Sequence, residues 1–213
     1  MKRVFCVLAA LAITSVSAWA IDGQVLINQS TVVSAGGFPY IISQPGSYKL
    51  SGNLTGFGNC GYVMGFPNPQ LTTCAIWIQT TNVVLDLNGF TVTGDTSSGG
   101  AIGWGSPTQG GVGLYAKAYG TIRNGQVVAV TPIASPTQSL NGDVLENLSL
   151  ETTGVAGSNG LGLGGYNRLV NVTAPGIPLN PGTPGCTNVI QNTNFYYSLA
   201  SSYGPCSSWT GNY

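Results

Sequence analysis

LDLNGFTVTG, residues 85–94, sets an aspartate inside an apolar run that ends in Asn-Gly. Related stretches return downstream as TIRNGQVVAV (121–130), LENLSLETTG (145–154), LVNVTAPG (169–176) and VIQNTNF (189–195). Each has an asparagine after apolar residues and a Ser-, Thr- or Val-rich stretch behind it. Taken with two earlier positions, the asparagines are Asn28, Asn53, Asn88, Asn124, Asn147, Asn171 and Asn192, and most are 21 to 25 residues apart. The two longer gaps contain turn-rich inserts. GFGNCGYVMGFPNPQLTTC (56–74) is an insert that its own cysteines could close, and DTSSGGAIGWGSPTQGG (95–111) is a second.

A period in the low twenties with β-type local sequence is the signature of a stacked repeat. The pieces between the beats, such as VVLDL, FTVTG, QVVAV and VLENLSLE, are rich in β-branched residues and bounded by Gly, Pro and Asn. None runs long enough at a 3.6-residue period to predict a helix. Strands this close together leave no room for βαβ crossovers. The sequence therefore predicts an all-β, right-handed parallel β-helix of about five or six coils. An antiparallel sandwich is the competing architecture, but it gives no reason for one residue type to return each turn. In a stack, Asn88, Asn124, Asn147, Asn171 and Asn192 would lie about 4.8 Å apart, positioned for a ladder of side-chain amides. Asn also tolerates the left-handed backbone of a coil corner. The N-x-S/T triplets at Asn28, Asn53, Asn147 and Asn171 read accordingly as ladder Asn followed by strand Ser or Thr.

The ends of the chain point outside the cytoplasm. Residues 1–20 have a basic start, a short apolar core and the A-x-A pattern Ala18-Trp19-Ala20, the layout of a secretory signal peptide. The expected divisions are a signal peptide at 1–20, an N-terminal cap with first strands at 21–44, the β-helix at 45–197 and a Cys-containing tail at 198–213. Export into an oxidising compartment implies disulfides among Cys60, Cys74, Cys186 and Cys206. Short loops make Cys60–Cys74 and Cys186–Cys206 the simplest of three pairings. With no histidine in the chain, a zinc site on these thiolates is not expected, and no cofactor is.

Charge is scarce, at 6% of residues. Without Lys2 and Arg3 the basic residues are Lys49, Lys117, Arg123 and Arg168, against six acidic ones. That excludes the basic face that nucleic acid requires. No second apolar run of spanning length follows the first twenty residues, so no membrane span is expected in the mature chain. The residue before each ladder Asn should point outward, which puts Arg123 and Glu146 on one stripe. Asp86 is offset by one place and joins them if the register allows. The stripe reads either as partly exposed ion pairs between coils or as a groove that binds or deprotonates a sugar acid.

PGSYKLSGNLTG (45–56) and NVVLDLNGFTVTG (82–94), followed by Asn-punctuated repeats, resemble the secreted bacterial right-handed parallel β-helix proteins. These form the pectin-lyase-like superfamily in its broad sense, and the likeness covers about residues 38–197. Enzymes of that fold commonly act on acidic polysaccharides, as calcium-dependent lyases or as hydrolases; other members are tail-spike and adhesin modules. The hydrolase set of an adjacent Asp pair, a His and an Arg-x-Lys is missing here. The resemblance to the pectate-type lyases implies Arg123 as base with Asp86 and Glu146 as acidic partners, and calcium if that chemistry is present. A glycosidase pair is limited to Glu146 with Asp143 or Glu151, all along one coil. GLGLGG (160–165) has no Lys and opens no helix, so it reads as a tight corner rather than a phosphate loop.

Trp77, Trp104, Tyr115 and Tyr119 fall in or beside the inserts and are the candidate glycan-stacking residues. The functional expectation is a secreted or cell-surface module that contacts polysaccharide. A polysaccharide lyase of the same fold and a structural or adhesive repeat protein are the alternatives.

Overall fold

The structure is a computed structural model that describes residues 23–64, 69–104, 119–134, 140, 142–154, 161–163, 165–180, 188–195 and 207–210. The described residues are all-β apart from one short helix. Its main feature is an 11-stranded sheet whose backbone path runs through Gln24–Ile27, Gly46–Leu50, Val83–Asp86, Thr121–Ala129, Val144–Thr152, Arg168–Ala174, Asn188–Gln191 and Ser207–Thr210. Every pairing in it is parallel. Each strand therefore meets its counterpart in the next repeat, as a recurring residue pattern requires.

A second parallel sheet joins Thr131–Ala134, Gly100–Trp104, Ile76–Ile78 and Tyr40–Ile42 in that order. Gly100–Trp104 lies inside the stretch read above as a turn-rich insert. It is instead a central strand of this sheet, because Ile102 pairs with Ile76 on one side and Ile133 on the other. The 56–74 insert is an antiparallel hairpin of Gly58–Met64 and Pro69–Cys74. Cys60 and Cys74 close it as a disulfide with Cα atoms 5.9 Å apart. Cys186 and Cys206, like residues 1–20 that read as a signal peptide, lie outside the described residues.

Alternation of apolar and polar residues in the strands decides what lies inside. Leu85, Ile122, Leu145, Leu169 and Ile190 stand in register on five successive strands, all with no exposed surface. A second column holds Leu54, Val92, Val127 and Leu150. Stacking like on like gives a continuous aliphatic core. Burial of each such side chain contributes about 1.5–3 kcal/mol.

The helix, Gln29–Ser34, was not predicted by periodicity, and at six residues it could not be. Asn28 is its N-cap: the side-chain oxygen accepts from the Thr31 N–H at 2.9 Å and from the Ser30 hydroxyl. Val32 is the residue the helix buries. Asn28 has extended backbone at φ −148°, so it belongs to a cap and not to the repeating corner. The long sheet reaches back to Gln24 and forward to Thr210, so strands of it occupy both the 21–44 and 198–213 segments.

Candidate functional site

The repeat is anchored by two columns of Asn and Asp. In the first, Asn88, Asn124, Asn147, Asn171 and Asn192 all take left-handed backbone, with φ between 50° and 60°. Asn adopts this region more readily than other residues with a Cβ. Asn192 donates its amide to the Asn171 side-chain oxygen at 3.3 Å, Asn171 to Asn147 at 2.8 Å, and Asn147 to Asn124 at 3.1 Å. The bonds span 21, 24 and 23 residues.

Asn124 does not continue to Asn88. Its amide donates to Asp86 Oδ1 at 3.2 Å, and the Asn88 backbone N–H reaches the same oxygen at 2.9 Å. Asn88 instead donates its amide to the Leu50 carbonyl. The reason is local length. Arg123 pairs with Asp86 and Gln126 with Thr91, so this repeat has two more residues between the paired positions. The insertion pushes Asn88 out of line, and the aspartate takes its rung. A carboxylate only accepts, so Asp86 is the terminus of a ladder in which Asn124, Asn147 and Asn171 each donate and accept.

A second column precedes the strands. Gly120 N–H donates to Asp143 Oδ1, Asp143 N–H to Asn167 Oδ1, and Asn167 N–H to Asn188 Oδ1. Asp143, Asn167 and Asn188 are buried. They satisfy backbone donors that the corner would otherwise leave unpaired inside the protein. Sequence reading missed this column although a signal was present: Asp143, Asn167 and Asn188 each stand four residues before a ladder Asn.

Register fixes the charged stripe on the outward face. Lys49 pairs with Asp86, Asp86 with Arg123, Arg123 with Glu146, and Glu146 with Val170. The stripe thus alternates in sign over four strands, and Lys49 is the member that the sequence pattern missed. Arg123 Nε lies 3.2 Å from Asp86 Oδ2, with 38% of the arginine side chain exposed against 12% of the aspartate's. An ion pair this open to water contributes about 0–1 kcal/mol. Lys49 and Glu146 form no ion pair among the described residues. Glu151, along the same strand, accepts from the Gln126 amide at 3.0 Å.

Asp95, in the turn before Gly100–Trp104, is buried and surrounded by donors. The hydroxyls of Thr73, Ser97 and Ser98 and the N–H groups of Ser97 and Ser98 all reach its carboxylate. Burial by itself would raise its pKa, but these bonds outweigh it and hold the carboxyl well below the usual range. This is a structural knot tying the hairpin to the turn, with no open position for a ligand.

The aromatic candidates separate. Trp104 is 3% exposed and sits in the core, so it has no ring face to offer a glycan. Its strand is interior, and its indole Nε1 has no hydrogen-bond partner among the described residues. Trp77 is half-buried between Ile41 and Gly103 in the second sheet. Tyr115 lies outside the described residues. Tyr119 is 47% exposed and Tyr166, not singled out by sequence, is 72% exposed.

Among the described residues no three His, Cys, Asp or Glu side chains converge to hold a metal, and no helix is long and apolar enough to cross a membrane. No protein-family model, curated protein or solved structure matches the chain.

Proposed function

We propose that the chain is a right-handed parallel β-helix exported from the cell, whose outward face contacts polysaccharide. The observation that carries this reading is the stripe Lys49, Asp86, Arg123, Glu146, which gathers four of the chain's few charges onto one column of a parallel sheet. Its middle pair is already engaged, since Asp86 accepts from Arg123, Asn124 and the Asn88 N–H. Its end members are partly exposed and form no ion pair among the described residues. Groups held by one another suit recognition of a polar chain better than proton abstraction, which needs a base free to reach its proton.

The second reading is a polysaccharide lyase of the same fold, with calcium a possible cofactor. One observation favours it: Arg123 stands between two carboxylates on neighbouring strands with over a third of its side chain in water.

Incubation of the protein with uronate-containing and neutral polysaccharides, with and without calcium, separates these readings. Unsaturated products that vanish in Arg123→Ala establish the lyase. Retention on a polysaccharide column without new reducing or unsaturated ends is the outcome expected for a binding module, and neither binding nor products refutes both.

A further inference from the structure

One residue before the level of the buried Asp and Asn column, four successive repeats turn through left-handed backbone. The positions are Asn82 at φ 57°, Tyr119 at 37°, Gly142 at 75° and Tyr166 at 65°. Asn and Gly accept this geometry easily, whereas a bulky aromatic residue there is an outlier. The fold meets its own need at this corner with Asn82 and Gly142, so the two tyrosines are not explained by the turn. Core packing does not explain them either, because both are among the exposed large side chains. Strained residues that the fold does not require mark a site of function.

The corner is rigid. Asn82 N–H donates to the Tyr119 carbonyl, Gly142 N–H to the Gly165 carbonyl and Val144 N–H to the Gly120 carbonyl, at 2.8–2.9 Å. Tyr119 lies over Gly142, where an added Cβ would stand 2.7 Å from its Cδ1 and Cε1. The ring thus covers the rung that has no side chain. Tyr166 follows one rung on, two rungs or roughly 10 Å from Tyr119 along the stack. That spacing is close to the length of two linked pyranose rings. Arg168, two residues after Tyr166, is exposed and makes no ion pair among the described residues. Its neighbours in register are the uncharged Val144 and Val189. Glu146, two residues past Val144, forms no ion pair with it.

We propose that Tyr119, Tyr166 and Arg168 form a subsite for two adjacent pyranose rings, one of them carrying an anionic group. The tyrosines stack on the C–H faces of the sugars, and the Arg168 guanidinium pairs with a carboxylate or sulfate. This rests on the polysaccharide-contacting reading above and places one contact at the corner, apart from the charged stripe.

The test is calorimetric titration of the whole protein with an oligouronate, a sulfated oligosaccharide and a neutral β-linked oligosaccharide of equal length. The variants are Tyr119→Asn, Tyr166→Asn, Tyr166→Phe and Arg168→Gln. Asn suits the left-handed corner, so the two tyrosine replacements leave the turn intact. We expect Tyr119→Asn and Tyr166→Asn each to weaken binding on the order of tenfold, equivalent to about 1.4 kcal/mol, and Tyr166→Phe to retain it. Arg168→Gln should weaken only the anionic ligands, and the uronate and sulfate arms identify which anion is preferred. Unchanged affinity in both Asn variants overturns the subsite and leaves the wider reading standing. Equal binding of the neutral ligand with no effect of Arg168→Gln overturns the anionic assignment. No binding of the unaltered protein to any of the three overturns the wider reading and the subsite together.

Discussion

Replacing Asp86 tests whether the asparagine ladder or the ion pair holds this face together. In Asp86→Ala three donors lose their acceptor: Asn124 Nδ2 at 3.2 Å, the Asn88 N–H at 2.9 Å and Arg123 Nε at 3.2 Å. A hydrogen bond to a charged group contributes about 1.5–3 kcal/mol, and an exposed ion pair about 0–1 kcal/mol. Asn124 and Arg123 are half-exposed, so water recovers part of the loss. The expected destabilisation is about 3 kcal/mol. Asp86→Asn keeps a side-chain oxygen at the same rung, which is what the other repeats use. It loses the pair with Arg123 and the charge assistance of the two remaining bonds, so it should cost about 1–2 kcal/mol, less than the alanine variant. Urea unfolding followed by circular dichroism measures both, with the transition midpoint shifting and the m-value unchanged. If the two variants lose stability equally, the ion pair dominates and the ladder argument is wrong. A loss under about 1 kcal/mol for Asp86→Ala would show that the end of the ladder contributes nothing.

Inside the ladder, Asn147→Gly should cost about 1–2 kcal/mol, for the amide bonds to Asn124 and Asn171 alone. Asn147→Ala should cost about 1 kcal/mol more, since alanine must also hold the φ of 52° there; equal unfolding midpoints would contradict this. The double variant Cys60→Ser, Cys74→Ser opens a loop with a separation of 14 residues and should lower stability by about 3 kcal/mol, read as a drop in thermal midpoint. Asp95 has its folded pKa depressed, so its contribution is complete above the unfolded carboxylate value, about pH 4, and is lost as pH falls through the folded value. The stability gap between the unaltered protein and Asp95→Asn should therefore be widest near neutrality and shrink below about pH 4. A gap that widens on acidification would reverse the assignment.

Much of the fold was legible because its causes are local. Asn at each corner reflects a backbone conformation that few other residues tolerate, and the 23-, 24- and 21-residue spacings in the sequence are the spacings of the ladder bonds. Alternating apolar residues told which side chains of each strand face inward, and the Cys60–Cys74 insert showed its own closure. Residues whose role depends on a distant repeat were less legible. Trp104 reads as a loop aromatic until Ile76 and Ile133 are seen on either side of its strand. Lys49 joins the stripe only through pairing with Asp86, across a hairpin whose length no local rule sets.

The sequence by itself determined the repeat, its corners and its core columns, because backbone preference and burial alternation act over a few residues. Tertiary structure alone decided which charges share a column, that Asp86 ends the ladder, and that Tyr119 and Tyr166 stay exposed to water. Those depend on register between strands separated by inserts of unequal length, and on what happens to cover each side chain.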